Sequence, residues 1–318
     1  IAHFYNEYQF NILFVYDELF AVKKERVIEF CTRIKELKAK SGMDFDWTCD
    51  LRVTDVDKSM LAELKDAGCA FIGYGFESAS QKVLNSMKKQ TTVGQIEQAI
   101  TLTGQAGIGV QGNFIFGDIA ETPETAQETL DFFDRHCRDK MIFLSYIMPY
   151  PGSQIFQHCL DNQIISDRQD YYNRISPWGL LKFNMTAMPD DVFIKIIAHL
   201  DEVMEPAALQ LKEAKVLSWA KTGQFADTAV PAGMRRPLFT IETTCPHCRE
   251  PIGYLHPAAP AATTLRTFCP RCHKRFVIPL PPAMVPQTKK GWKQTLLEFF
   301  PPFLRPALVK MYAGFRRE

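Results

Sequence analysis

Four of the nine cysteines stand in two short motifs, Cys245-Pro246-His247-Cys248 and, after 20 residues, Cys269-Pro270-Arg271-Cys272. Each CxxC makes a tight turn that aims two thiolates at one ion, and two pairs at this separation specify a tetrahedral zinc (Zn2+) site, with a rubredoxin-like iron as the competing occupant. Four thiolates leave no open position, so the ion is structural and a module this small depends on it for folding. Strand-forming residues follow each pair, Ile252 to Leu255 and Phe276 to Leu280. His247 and His273 neighbour the ligands but break the spacing, and read as exposed bystanders. Cys31, Cys49, Cys69, Cys137 and Cys159 are scattered in apolar surroundings and read as buried, inert thiols. This usage suits a reducing cytosol.

A second set of reactive side chains stands at the ends of short apolar runs. Asp17 and Glu18 close the run from Asn11 to Val15, and Asp50 and Arg52 lie late in Phe45 to Val53. Glu77 and Ser78 follow Phe71 to Phe76, and Asp118 and Glu121 follow Val110 to Phe116. Met141 to Met148 is the last such run, closed by Pro149-Tyr150-Pro151-Gly152.

The segments between these runs carry helical spacing. Val27, Phe30, Cys31, Ile34 and Leu37 share one face, with Gly42 as the stop. A helix is expected from about Asp57 to Ala67. Ser78 with Gln81, and Thr92 with Gln95, read as capping boxes, and Pro123 as the first residue of a helix through Phe133. Five strands, each followed by a helix, require parallel pairing through right-handed crossovers. The fold class is therefore α/β, a partial (β/α) TIM-like barrel over residues 1–165. In such barrels the chemistry sits at the C-terminal strand ends. Polar strand ends are also what any soluble barrel needs, so both readings stand on this evidence.

Four stretches carry a resemblance: Phe14-Val15-Tyr16-Asp17-Glu18-Leu19-Phe20, Gly73-Tyr74-Gly75-Phe76-Glu77-Ser78, Asn113-Phe114-Ile115-Phe116-Gly117-Asp118-Ile119-Ala120-Glu121-Thr122, and Pro149-Tyr150-Pro151-Gly152-Ser153. In this order and spacing, over about half the chain, they resemble radical S-adenosylmethionine (SAM) enzymes. The likeness is greatest to the subgroup that often carries a cobalamin-binding domain upstream, which includes methyltransferases and the anaerobic cyclase of chlorophyll synthesis. The resemblance implies that Asp17 and Glu18 lie near the SAM amine, that Glu77 accepts from a ribose hydroxyl, and that Lys89 meets the SAM carboxylate. It further implies that Asn113 contacts the ribose, that Ile115 flanks the adenine and that Gly117 permits close backbone approach. Ser78 is counted with this set. Arg52 either faces the pocket or pairs with Asp17. Glu121 and Thr122 are expected to fix the following helix.

The family reduces SAM at a [4Fe–4S] cluster held by three cysteines in a CxxxCxxC loop, and this sequence contains no such spacing. The first strand here then corresponds to the family's second, residues 1–8 to the remnant of its first helix, and the cluster loop is expected just before Ile1. The implied chemistry is reductive cleavage of SAM to a 5′-deoxyadenosyl radical, with cobalamin donating a methyl group in the methyltransferase branch. An external reductant and a small-molecule or lipid-like substrate are the implied partners, and the chain by itself is expected to be inactive. The rival reading is a catalytically inactive barrel that serves as a binding or scaffold module through its zinc ribbon.

The chain has 318 residues, of which 46% are hydrophobic and 23% charged. That allows one large core and a satellite. There is no secretory signal pattern and no long uncharged apolar run, and the reading is a cytoplasmic protein. Residues 166–240 read as a helical extension, with one or two helices from Asp190 to about Ala214 and a linker from Gly223 to Pro237. The zinc ribbon occupies 241–282, interrupted by a flexible loop at 255–264. The formal net charge is +1, yet residues 281–318 carry seven Lys or Arg against two acids. The rest of the chain before residue 241 is net negative and offers no nucleic-acid platform. The basic, aromatic stretch 289–318 could lie on an anionic membrane surface, contact a partner or pack back on the barrel.

Overall fold

The computed structural model describes residues 1–8, 10–17, 20–174, 183–205, 208–226, 236–257 and 263–284. They form two compact units, one of Ile1–Leu211 with Phe268–Arg275, the other of Lys212–Thr267 with the residues from Phe276 onward.

In the first unit a short helix α1 (Ala2–Tyr8) precedes five strands: β1 (Ile12–Val15), β2 (Asp46–Leu51), β3 (Cys69–Glu77), β4 (Gly109–Phe116) and β5 (Met141–Tyr146). They lie side by side in chain order, every neighbouring pair parallel. The crossovers are α2 (Lys24–Ser41), α3 (Lys58–Asp66), the pair α4 (Gln81–Ser86) and α5 (Val93–Gln105), and α6 (Pro123–His136). Right-handed crossovers between strands in sequential order place all these helices on one face of the sheet, which is an arc of a (β/α) barrel. Three more helices follow, α7 (Gln154–Asp161), α8 (Arg168–Arg174) and α9 (Asp190–Val203).

Strand alternation decides which side chains meet the helices. Trp47, Cys49 and Leu51, then Ile72, Tyr74 and Phe76, then Phe114 and Phe116, are buried in one core. There they meet Val27, Cys31 and Ile34 of α2, Leu61 and Leu64 of α3, Ile96 and Ile100 of α5, and Phe133 of α6. Polar ends inside this core are satisfied: Tyr74 Oη lies 2.7 Å from Thr103 Oγ1, and Trp47 Nε1 donates to Ala67 O at 3.0 Å. The five scattered cysteines are all buried. Burial pushes the Cys31 thiol up to about 11 and Cys137 up to about 12, which keeps both protonated and inert.

Local signals account for most helix starts. Asp57 caps α3 through Met60 N, Thr92 and Gln95 form a reciprocal capping box on α5, and Thr122 caps α6 with Pro123 in its first turn. The capping box expected from Ser78 and Gln81 does not form. Ser80 stands at the N-cap of α4, while Glu77 takes a φ of 63° and the chain turns Ser78 into the core.

The segment Phe268–Arg275 packs near the N-terminal ends of β3, β4 and β5, the face that serves stability rather than chemistry in this architecture. Arg275 is buried, its main-chain N–H donates to Asp139 O and its guanidinium to Ile142 O at 3.1 Å. The guanidinium also lies over the rings of Phe143 and Phe268. His273, expected to be exposed, is buried instead, its ring 4.9 Å from that of Phe71. Burial, with Lys65 nearby, pulls its imidazole down to about 4. Arg275→Ala is expected to destabilise this unit by about 3 kcal/mol, through a lost charged hydrogen bond and a cavity beneath two rings, as read by denaturant unfolding.

The second unit is β-rich. Strands β6 (Val216–Phe225), β7 (Pro237–Thr244) and β8 (Pro251–Pro257) form an antiparallel sheet, and β9 (Thr264–Phe268) pairs with β10 (Arg275–Pro279). Phe239, Ile241, Ile252, Phe276 and Ile278 are buried. Helices α8 and α9 form within the expected helical extension, but strand β6 takes the place of its later part and of the start of the expected linker. Helix α9 ends at Val203, and Gly223 lies inside β6. Strand β6 is exposed along most of its length, so no alternating apolar pattern marks it; the ladder to β7 defines it. No described helix is long and apolar enough to cross a membrane. The stretch 289–318 lies outside the described residues.

Candidate functional site

At the C-terminal end of β3 the main chain is bare on the face opposite the helices. Gly75 lies there, and a Cβ on it would come within 2.7 Å of Glu77 Oε1 and 3.0 Å of Lys89 Nζ. These two atoms form an ion pair of 2.6 Å, with side chains 20% and 34% exposed. Glu77 holds its φ of 63° at a bulge in the β3–β4 register, and Lys89 is flanked by Lys88 and Gln90 at φ 54° and 51°. Left-handed backbone at three non-glycine positions costs energy and marks a site held in place by its surroundings.

The register aligns Asn113 of β4 with Gly75 on this face, and Ile115 two residues on with Ser145 of β5. Asn113 is exposed and makes no side-chain hydrogen bond among the described residues. Gly117 follows β4 with a φ of 100°, which a side chain would strain. Its approach is to Phe193 of α9: a Cβ there would meet that ring at 3.4 Å.

Glu121 does not cap the helix after it; Thr122 does. The Glu121 carboxylate is buried and accepts from the Gly117 N–H, pinning the strand end. Burial pushes its pKa up to about 7 from an ordinary 4.5, against the lowering effect of that hydrogen bond. A raised carboxyl pKa contributes stability that is complete below the unfolded value and is lost as pH rises through the folded one. Glu121→Gln, which mimics the protonated acid, is therefore expected to leave stability unchanged near pH 4 and to raise it by about 2 kcal/mol at pH 8 relative to the parent. Thermal melts at the two pH values check this.

Asp17, just beyond β1, is ion-paired with Arg26 of α2, not with Arg52. Arg52 is exposed and makes no ion pair among the described residues. Ser78 is withdrawn from this face: it is buried, lies 3.1 Å from Thr129 Oγ1 of α6, and accepts from Ser80 N. Glu18 lies outside the described residues. The structure thus brings Glu77, Lys89, Asn113 and Ile115 to one end of one face, turns Ser78 away, and adds Gly75, which the Gly73-x-Gly75 spacing signals in retrospect.

The two CxxC motifs fold as near copies. Cys245 N–H donates to Glu250 O and Arg249 N–H back to Cys245 O; Cys269 N–H donates to Lys274 O and His273 N–H back to Cys269 O. Two amides point at the first sulfur of each: His247 and Cys248 at Cys245 Sγ, and Arg271 and Cys272 at Cys269 Sγ, at 3.3 to 3.5 Å. The residue after each motif, Arg249 or His273, is left-handed. All four sulfurs lie within 4.8 Å of one another. Amides donating to sulfur suit bound thiolates, and the donor set fits a tetrahedral soft or borderline ion. No other group of three or more His, Cys, Asp or Glu among the described residues could hold a metal.

A parallel α/β sheet whose C-terminal strand ends carry this polar set is matched by a known family: residues 11–133 fit the Radical SAM superfamily. That segment is similar to radical SAM domains. An uncharacterized methyltransferase of Pyrococcus horikoshii is 29% identical over 165 residues, 52% of this chain and 34% of the relative. An anaerobic magnesium-protoporphyrin IX monomethyl ester cyclase of Cereibacter sphaeroides is 33% identical over 175 residues, 54% of this chain and 28% of the relative. The chain thus spans about a third of the length of these relatives. Among solved structures, the radical SAM methyltransferase TsrM of Kitasatospora setae, with cobalamin and a [4Fe–4S] cluster bound, is similar at a TM-score of 0.49 and 16% identity, over 65% of this chain and 45% of that one.

Proposed function

We propose that this chain provides the SAM-binding strand ends of a radical SAM enzyme, with methyl transfer as its reaction. The observation that carries the reading is the Glu77–Lys89 pair laid over Gly75 at the sheet's C-terminal end. The superfamily match and a relative named as a methyltransferase support it.

SAM, when bound, supplies a methyl group or a 5′-deoxyadenosyl radical. Lys89 would hold its carboxylate, Glu77 and Asn113 would accept from its ribose hydroxyls, and Ile115 would give the adenine an apolar wall. Asp17 would add negative charge near the amine. The cysteines that gather among the described residues are the two CxxC pairs, whose spacing is not the CxxxCxxC of a [4Fe–4S] loop. Cobalamin would be held elsewhere in the full protein. The four-cysteine centre takes zinc as a structural ion.

The test is anaerobic reconstitution of the protein with the sequence encoded upstream of Ile1. Visible absorbance of an iron–sulfur cluster, and release of 5′-deoxyadenosine or S-adenosylhomocysteine under reductant, are the expected results. An upstream sequence without CxxxCxxC, or a reconstituted protein that neither binds nor consumes SAM, overturns the reading in favour of an inactive scaffold.

A further inference from the structure

The helix-free face of the sheet carries a second polar pair that the SAM reading does not use. The register sets Asp50 of β2, Gly73 of β3 and Gln111 of β4 side by side. A Cβ on Gly73 would collide with Asp50 Oδ1 and come within 3.0 Å of Gln111 Nε2, so two polar side chains from flanking strands lean over the same bare stretch of backbone. Neither side chain has a hydrogen bond or ion pair among the described residues. A carboxylate offers acceptors alone, and the amide adds one acceptor and two donors.

The pair stands between two defined levels. Gly75, beneath Glu77 and Lys89, lies two residues further along β3, roughly 6.6 Å at about 3.3 Å per residue. Two residues the other way, Phe71 pairs in register with Gly109, and a Cβ on Gly109 would sit 3.0 Å from Cβ of buried His273. His273 thus lies at the level below and the Glu77–Lys89 pair at the level above.

We propose that Asp50 and Gln111 form a substrate seat that takes a protonated amine. The carboxylate accepts charge-assisted N–H bonds and carries no resident cation, and Gln111 Oε1 accepts a further one. An anionic group at this position would meet an uncompensated carboxylate. That the amine belongs to the substrate rests on the SAM reading above; that the seat binds an amine does not.

The probes are benzylamine and benzoate, titrated into the full-length protein by saturation-transfer NMR, with SAM affinity measured on the same samples. Benzylamine is expected to bind the parent protein and to bind at least tenfold more weakly to the isosteric Asp50→Asn variant, while benzoate does not compete. SAM affinity is expected to stay within twofold in that variant. Absent benzylamine binding, binding unchanged in Asp50→Asn, or equal binding of benzoate overturns the seat. Asp50-dependent amine binding in a protein that fails to bind SAM upholds the seat and removes its assignment to substrate.

Discussion

Removing the ion from the four-cysteine centre is expected to abolish the ordered fold of the Cys245–Cys248 turn. The buried apolar set of the second unit is short, with Phe239, Ile241, Ile252, Phe276 and Ile278 at its heart. Its strand β6 buries almost nothing, so packing alone is thin support. The amides aimed at Cys245 and Cys269 are arranged around sulfur, and without an ion they stabilise nothing that water would not. Structural zinc sites of this donor set contribute on the order of 10 kcal/mol of folding free energy at neutral pH. Elemental analysis is expected to find one zinc per chain in the parent and none in the Cys245→Ser, Cys248→Ser double variant. Amide exchange over residues 236–257 is expected to lose its protection in the variant, and in the parent after chelation. Protection that survives complete metal loss would show that packing carries this module instead.

That centre was legible from sequence because local spacing does the geometric work: each CxxC fixes two ligands regardless of what packs around it. The parallel sheet was legible for a related reason, since buried strands and amphipathic crossovers write their periodicity into the residues. Where side-chain placement depends on distant partners, the sequence was silent or misleading. His273 stands beside a ligand and is polar, yet Phe71, some 200 residues earlier, buries its ring. Asp17 had a plausible cation in Arg52, but the first turn of α2 brings Arg26 closer. Ser78 carried a capping pattern that the left-handed turn at Glu77 overrode. Strand β6 had no pattern at all, being held by one ladder rather than by a buried face.

Lys89→Ala is expected to weaken SAM binding by roughly 10- to 100-fold, the range for loss of a charged hydrogen bond in a partly shielded site. The same substitution is expected to leave 5′-methylthioadenosine binding nearly unchanged, because that molecule keeps the adenine and ribose but has no carboxylate. Glu77→Gln separates the two halves of the pair. It keeps an acceptor for the ribose while removing the charge that holds Lys89 at 2.6 Å, so SAM should weaken by less than tenfold. If Glu77 acts by positioning Lys89, the double variant will lose less than the sum of the single losses, since Lys89→Ala already removes what Glu77 positions. Strict additivity would place the two residues on separate parts of the ligand. Equal loss of SAM and 5′-methylthioadenosine in Lys89→Ala would instead assign the lysine to holding the turn between α4 and α5, and the carboxylate would need another partner.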